Sequence, residues 1–134
     1  MDTDKLKEIL SRDTFASLAG ITLDEIGEGK AVASVVINKN HFNGVGTVQG
    51  GLYFTLADFA FAAASNSRGR VAVAVKCDIS FFRPVKSGKL TAEAEEVSCG
   101  KTISSYTVKV CDENGGLVAL FNGTAFRMEP HTEA

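Results

Sequence analysis

Histidine and cysteine are scarce in this 134-residue chain, at two and three residues, and that scarcity removes several kinds of chemistry at once. Cys77, Cys99 and Cys111 are odd in number and form no CxxC pair, and neither His41 nor His131 stands at ligand spacing from them. A disulfide scaffold and a zinc centre are both excluded, and the thiols are expected to be reduced and in the core. With one histidine in a loop and the other in the tail, no Ser-His-Asp or Cys-His arrangement is legible; only a remote pairing stays open. The glycines of Gly44-Val45-Gly46 do not complete a dinucleotide fingerprint, because Gln49 stands where the third glycine belongs, and no P-loop is present. An apolar leader is missing too: Met1-Asp2-Thr3-Asp4-Lys5 opens the chain on charge, so no signal peptide is expected and the location is read as cytoplasmic. The sequon Asn122-Gly123-Thr124 is then accidental.

With 45% apolar and 22% charged residues, the composition is that of one globular domain spanning residues 1–134. A domain of this size buries roughly two thirds of its unfolded surface and needs no staple. A formal net charge of −2 argues against nucleic-acid binding. The charge is unevenly spread. Between Asn66 and Lys89 lie Arg68, Arg70, Lys76, Arg83, Lys86 and Lys89 against Asp78 alone, leaving +5 there and −7 elsewhere. A basic stretch inside an acidic protein suits a small polyanion such as a phosphorylated ligand; the plain alternative is a solvated cationic face.

Leu6, Ile9, Leu10, Phe15 and Leu18 predict one or two short amphipathic helices on the outside of the core, closed by Gly20. Two strands between Ile21 and Asn38 meet around Gly27-Glu28-Gly29, the second rich in β-branched residues. Residues Gly50 to Ala64 read GGLYFTLADFAFAAA, a helix apolar almost all round that must be wrapped by protein. It is too short, and its Asp too costly, for a membrane span. Val71, Val73, Val75, Cys77, Ile79 and Phe81 alternate along one strand; Leu90, Ala92 and Ala94 along the next, with a bulge expected at Glu95-Glu96. Two more strands follow, turned at Asn114-Gly115-Gly116, and the tail from Glu129 is expected to fray. A strand pair, one buried helix and a four-strand meander imply an α+β domain, an antiparallel sheet curled around one long central helix. The pattern alone leaves several such folds open, cystatin-like ones among them.

Asp58 most needs explaining, because Asp is poor inside a helix and is rarely buried unless paired. Either it anchors the helix through a backbone group or an arginine, or it serves as a nucleophile or general base. Thr55 shares its face and is placed to orient that carboxylate or a water, or simply to pack. At the start of the helix, Gln49-Gly50-Gly51 offers amides that the helix itself leaves unbonded, at the positive end of its dipole. Two glycines let a ligand approach the backbone, so a developing oxyanion can be held there. Eight residues of helix put Gly50 and Asp58 about 12 Å apart, whereas reacting groups converge within about 3 to 3.5 Å. If both act on one bond, the helix tip of one subunit must meet Asp58 of another, as a twofold axis with antiparallel helices provides.

These residues resemble the hotdog-fold acyl-CoA thioesterases, particularly the phenylacetate-degradation type within the 4-hydroxybenzoyl-CoA thioesterase superfamily. The likeness runs from Phe15 to Met128 and is carried by Asn43-x-x-Gly46-x-x-Gln49-Gly50-Gly51, Asp58, Asn66-Ser67-Arg68-Gly69 and Phe81-Phe82-Arg83-Pro84. The resemblance implies hydrolysis of aryl- or medium-chain acyl-CoA to free acid and CoA. It implies that the amide of Gly50 polarises the thioester carbonyl, that Asn43 positions groups in the pocket, and that Asp58 of the partner subunit attacks the carbonyl or activates water. Gly51, Thr55 and Asn66 fall in the substrate-binding region, and Arg68, Arg70, Arg83, Lys86 or Lys101 would meet CoA phosphates along the subunit boundary. No separate cofactor or metal is implied, CoA being part of the substrate. The assembly implied is a homodimer, with a tetramer left open, and neither nucleic acid nor membrane is a partner. Two departures stand out: Gln49 replaces a histidine common among relatives and cannot shuttle protons at neutral pH, and Ala74 stands where some relatives place a serine. A non-catalytic acyl-CoA binder and an acyl-thioester dehydratase or hydratase are the alternative readings.

Overall fold

A computed structural model describes residues 3–130; His131 and the last residues of the tail lie outside it. Two short helices, α1 (Thr3–Leu10) and α2 (Thr14–Ala19), lead into the strands β1 (Thr22–Gly27) and β2 (Lys30–Val36). After a 3-10 turn at Lys39–His41 comes the long helix α3 (Gly50–Asn66), then β3 (Arg70–Phe81), β4 (Lys89–Cys99), β5 (Ile103–Cys111) and β6 (Leu117–Pro130). The six strands form one antiparallel sheet in the order β1-β2-β4-β5-β6-β3. The expected α+β architecture, a sheet around a central helix, is what the chain adopts.

The sheet face toward α3 is built from small residues on one side and larger ones on the other. Ala31, Ala33 and Val35 of β2 and Leu90, Ala92 and Ala94 of β4 are buried, those of β4 alternating with outward Lys89, Thr91, Glu93 and Glu95. Tyr106, Val108 and Val110 of β5 and Ala119, Phe121 and Ala125 of β6 complete that face. Against them lie Leu56, Ala57, Ala60, Phe61, Ala63 and Ala64 of α3, whose alanines let the helix axis approach the sheet closely. Phe61 is the central wedge, edge-on to Tyr106 at 5.6 Å between ring centroids. It fits because Gly123 opposite carries no side chain: a Cβ there would lie 2.8 Å from the Phe61 ring.

Four expectations need correction. The last four strands are not a simple meander, since β3 pairs with β6 at the far edge while β4 pairs with β2 and β5. Nor does β3 keep one apolar face. A bulge between Ala74 and Lys76 shifts its phase, so Ala72, Ala74, Cys77, Ile79 and Phe81 share the helix side, and Val73 pairs with outward Phe126. Third, α3 is not wrapped all round in the single chain. Gly51, Phe54, Thr55, Asp58 and Ala62 form an incompletely covered stripe, and Phe54 is 37% exposed. One curled sheet covers only part of a helix's circumference, and here its last strand is an unpaired edge on which Val73 and Val75 are 45% and 57% exposed. Fourth, Glu129 and Pro130 do not fray: they extend β6, where Pro130 registers with Arg70.

Smaller features follow local chemistry. Asp13 caps α2 by accepting from the Ala16 amide, and Gly20, at φ 86°, closes it in the left-handed conformation glycine tolerates. Of the apolar residues expected to face inward from these helices, Leu6 is buried, whereas Phe15 and Leu18 are exposed. The bulge expected at Glu95-Glu96 falls between Glu96 and Ser98. The three cysteines are free thiols, half-buried at the rim of the core rather than inside it.

Candidate active site

The tip of α3 is organised by the loop before it. The Asn43 side chain closes that loop on itself: Oδ1 accepts from the amides of Val45 (3.0 Å) and Thr47 (3.1 Å), and Nδ2 donates to Thr47 Oγ1 (2.9 Å). Phe42 and Val48 bridge across its base. Asn43 therefore shapes the turn that delivers Gln49 to the helix start. His41 is also structural. Its Nδ1 accepts from the Asn38 amide (3.0 Å), which leaves the proton on Nε2 to be donated to the Ala19 carbonyl (2.8 Å). The ring ties the 3-10 turn to α2, and neither nitrogen is free for proton transfer.

Gln49 is the N-cap of α3, with φ −66° and ψ 135°, and its Oε1 accepts from the amide of Gly51. That assignment divides the two glycines. The Gly51 amide is taken, while the Gly50 amide makes no hydrogen bond within the described residues. A single free N–H remains at the positive end of a 17-residue helix, the arrangement that holds an anion or a polarised carbonyl. It opens on a cleft of about 340 Å³ lined by Val48, Gly50, Tyr53, Phe81, Phe82, Arg83 and Pro84. The Phe81 ring lies over Gly50, where even a Cβ would come within 3.3 Å, and leans on Tyr53 at 5.9 Å between centroids.

Asp58 sits two turns further along α3, on its open stripe. Of the two readings the sequence left open, internal anchoring is ruled out: no donor or cation among the described residues pairs with its carboxylate. Burial pushes its pKa above the ordinary carboxylate value, and the negative charge of Asp13 adds to the rise. Asp58 in turn helps raise the Cys77 thiol, after burial of that thiol. Thr55, one turn earlier, donates its hydroxyl proton to the Gly51 carbonyl (2.8 Å), so toward Asp58 or a water it can only accept.

The predicted phosphate contacts divide into committed and free cations. Arg68 makes a two-point ion pair with Glu96, Nε to Oε2 at 2.8 Å and Nη2 to Oε1 at 3.1 Å, and Tyr106 donates to the same carboxylate at 3.1 Å. Those bonds hold Glu96 below its ordinary pKa. Arg70 donates to the carbonyls of Met128, Lys101 and Arg127, fastening the start of β3 to β6. Asn66 does the same for the end of α3, bonding the Ala62 carbonyl and both backbone groups of Ala72. Arg83 pairs with Asp112. The ammonium groups of Lys86 and Lys101 have no partner among the described residues. Lys86 follows the cleft residues Arg83 and Pro84, whereas Lys101 lies beside the first residue of β3 at its other end.

Two neighbours of the site carry little local signal. Cys77 reads in the sequence as a core thiol within an apolar strand alternation, and its proximity to Asp58 is set by the pairing of β3 with β6. Tyr53 drew no notice as one apolar residue in an apolar helix; the available signal was a hydroxyl placed one turn after Gly50, on the same face. No group of His, Cys, Asp and Glu that could hold a metal occurs among the described residues, and no described helix is long and apolar enough to cross a membrane.

Known proteins resemble this chain in sequence and fold. Residues 45–119 match the family model described as Thioesterase superfamily. Acyl-coenzyme A thioesterase PaaI of Escherichia coli is 38% identical, the match covering 87% of this chain and 84% of that protein. Human acyl-coenzyme A thioesterase 13 is 30% identical over 87% and 90% of the two chains. Among solved structures, the E. coli PaaI protein from the phenylacetic acid degradation operon superposes with a TM-score of 0.87 at 35% identity, covering 92% of this chain and 90% of that one. A mutant of the phenylacetic acid degradation protein PaaI from Thermus thermophilus gives 0.83 at 41% identity, covering 87% and 100%. The sheet-and-helix architecture is thus the hotdog fold.

Proposed function

Because this chain belongs to the thioesterase superfamily, we propose that it hydrolyses acyl-CoA thioesters to free acid and CoA at sites that two copies build together. Acyl-CoA hydrolysis follows from its thioesterase relatives. The shared site rests on one observation: the free amide of Gly50 and the unpaired carboxylate of Asp58 occupy one rigid helix, about 12 Å apart by its rise. Neither group has a role in holding the single chain together, and they can meet on one substrate only if a second helix runs antiparallel to the first. The open stripe of α3 and the apolar edge of β3 are the surfaces such a copy would cover.

In this reading the thioester carbonyl oxygen accepts from Gly50 N–H, which stabilises the negative charge that develops as the carbonyl carbon becomes tetrahedral. Asp58 of the partner subunit takes a proton from water, whose oxygen bonds to that carbon; the C–S bond then breaks and CoA leaves as its thiol after taking up a proton. Direct attack by the carboxylate is the other route, with water resolving the anhydride, and isotope labelling from heavy-oxygen water separates the two. A carboxylate whose pKa burial has raised is the better base or nucleophile for either. Gln49 needs no proton-transfer role, because it acts by capping the helix and leaving Gly50 free. The cleft walls of Tyr53, Phe81, Phe82 and Pro84 favour aryl or medium-chain acyl groups over long ones.

Subunit mixing tests the shared site. Gly50→Pro removes the amide hydrogen while suiting the first turn of a helix, the extended backbone of Gln49 accepts a following proline, and the exposed Phe81 ring, 3.3 Å from the added Cβ, yields by a small shift. Each of Gly50→Pro and Asp58→Asn should be inactive alone. Unfolded and refolded together in equal amounts, random pairing into twofold dimers restores about a quarter of the wild-type sites. No recovery in verified mixed dimers would end the two-subunit reading, and failure of the wild type to release thiol from any acyl-CoA would end the hydrolase reading.

A further inference from the structure

The free amide of Gly50 points where its peptide group directs it, and that group is anchored on both sides. The Gln49 carbonyl accepts from the Leu52 amide (2.9 Å), a bond inside the helix, while the Gln49 amide donates to the His41 carbonyl (2.8 Å), a bond outside it. His41 is itself held from two directions. Its Nδ1 accepts from the Asn38 amide within the 3-10 turn (3.0 Å), and its Nε2 donates to the Ala19 carbonyl (2.8 Å), 22 residues away in the chain. That carbonyl belongs to the last residue of α2, where the helix offers it no partner. Between α2 and the turn opens a cleft of about 380 Å³ lined by Phe15, Leu18, Ala19, Asn38, Asn40 and His41. No other hydrogen bond among the described residues joins α2 to residues 38–49. The support itself is fixed: Asp13 and Gly20 cap α2, and Ala16 is buried in the core.

We propose that His41 is a positioning residue for the oxyanion amide: by bonding Ala19 across that cleft, it ties the tip of α3 to α2 and fixes the direction of Gly50 N–H. The inference rests on the hydrolase reading above. A misplacement of about 1 Å, caused by a change far from the chemistry, can cost on the order of 10²-fold in rate. Charge gathers on the carbonyl oxygen mainly in the transition state, so a misaimed donor lowers kcat and leaves KM nearly unchanged. One imidazole suits the task because it reaches both ways, an acceptor toward the turn and a donor toward α2. Two substitutions separate these bonds. Asparagine places an acceptor where Nδ1 stands and stops short of Ala19, whereas glutamine places a donor where Nε2 stands and gives up the bond to Asn38.

The test compares His41→Asn and His41→Gln with the wild type in three measurements: kcat and KM for thiol release from benzoyl-CoA and hexanoyl-CoA, Tm, and the NMR resonance of the Gly50 amide. Each variant lacks one of the two ring bonds, so their Tm values should fall by similar amounts. His41→Asn should lose about ten- to a hundredfold in kcat with KM within about threefold of wild type, and its Gly50 resonance should shift or broaden. His41→Gln keeps the tie to α2, so its kcat should stay within about threefold of wild type with the Gly50 resonance in place. Equal kcat in the two variants, both high or both low, would assign His41 to the scaffold alone and overturn the proposal. A loss expressed in KM, or an unmoved Gly50 resonance in His41→Asn, would overturn it as well. If the wild type releases no thiol, the hydrolase reading falls, and the Gly50 resonances of the two variants still decide whether the tie to α2 aims that amide.

Discussion

Replacing Asp58 with asparagine should move activity and stability in opposite directions. The two side chains are nearly isosteric and have similar helix propensities, so α3 keeps its geometry. Losing the group that attacks or deprotonates water removes a contribution worth about 10²–10⁴ in rate, or roughly 3–5 kcal/mol of transition-state stabilisation. In the fold, however, the carboxylate has no partner and its ionised form is penalised by burial and by Asp13. Its folded pKa is therefore raised above the unfolded value. For an acid raised in this way, folding favours the protonated form. Wild-type stability is highest below the unfolded pKa of 3.8 and is lost as pH rises through the shifted value. The neutral amide of Asp58→Asn carries no such penalty at any pH. The variant should melt at or above the wild type at pH 7, and the gap should narrow as pH falls toward 4; each 1 kcal/mol amounts to about 4 °C for a chain of this length. Thiol-release kinetics and thermal melts from pH 4 to 8 on both proteins supply the comparison. A kcat/KM within tenfold of wild type, or a variant that melts lower at neutral pH with a gap that widens on acidification, would refute the reasoning.

Two further outcomes probe the scaffold. Gly123→Ala should destabilise by about 1–3 kcal/mol, because its Cβ would lie 2.8–2.9 Å from the wedged Phe61 ring and the core has no slack to yield; a Tm within 1–2 °C of wild type would show that it does. Glu96→Gln should lower stability at pH 7 by about 1 kcal/mol, since the carboxylate binds both Arg68 and Tyr106 while remaining partly solvated. Its depressed pKa means this contribution is present above the ordinary value of 4.5 and disappears as pH falls through the folded value, so denaturant titrations of the two proteins should converge in acid.

Reading along the chain worked where a residue's environment is set by its near neighbours. The alternation of Leu90, Ala92 and Ala94 placed a face of β4 correctly, and the run from Gly50 placed the central helix to within two residues of its end. The same reasoning missed the phase of β3, because a bulge at Val75 is decided by register with β6, some fifty residues away. It offered five cations to a phosphate ligand without distinguishing them. Arg70 is bound to carbonyls near residues 101 and 128, Arg68 to Glu96 and Arg83 to Asp112, and none of these pairings has a local signature. The Gln49-Gly50-Gly51 tip was legible as an anion site, yet which glycine stays free depends on where the Gln49 side chain folds back.

Covalent geometry and periodicity were enough to establish that this chain carries a free helix tip and a lone acid on one rod, eight residues apart, and hence that they cannot serve one bond within a single copy. Packing assigned the rest. It left Asp58 without a counter-ion, committed three arginines to internal duties and set β3 at an unpaired edge. Helical rise is a property of consecutive residues. The partner of a donor or a charge depends on which distant segment comes to lie beside it, and that emerges only when the sheet closes on the helix.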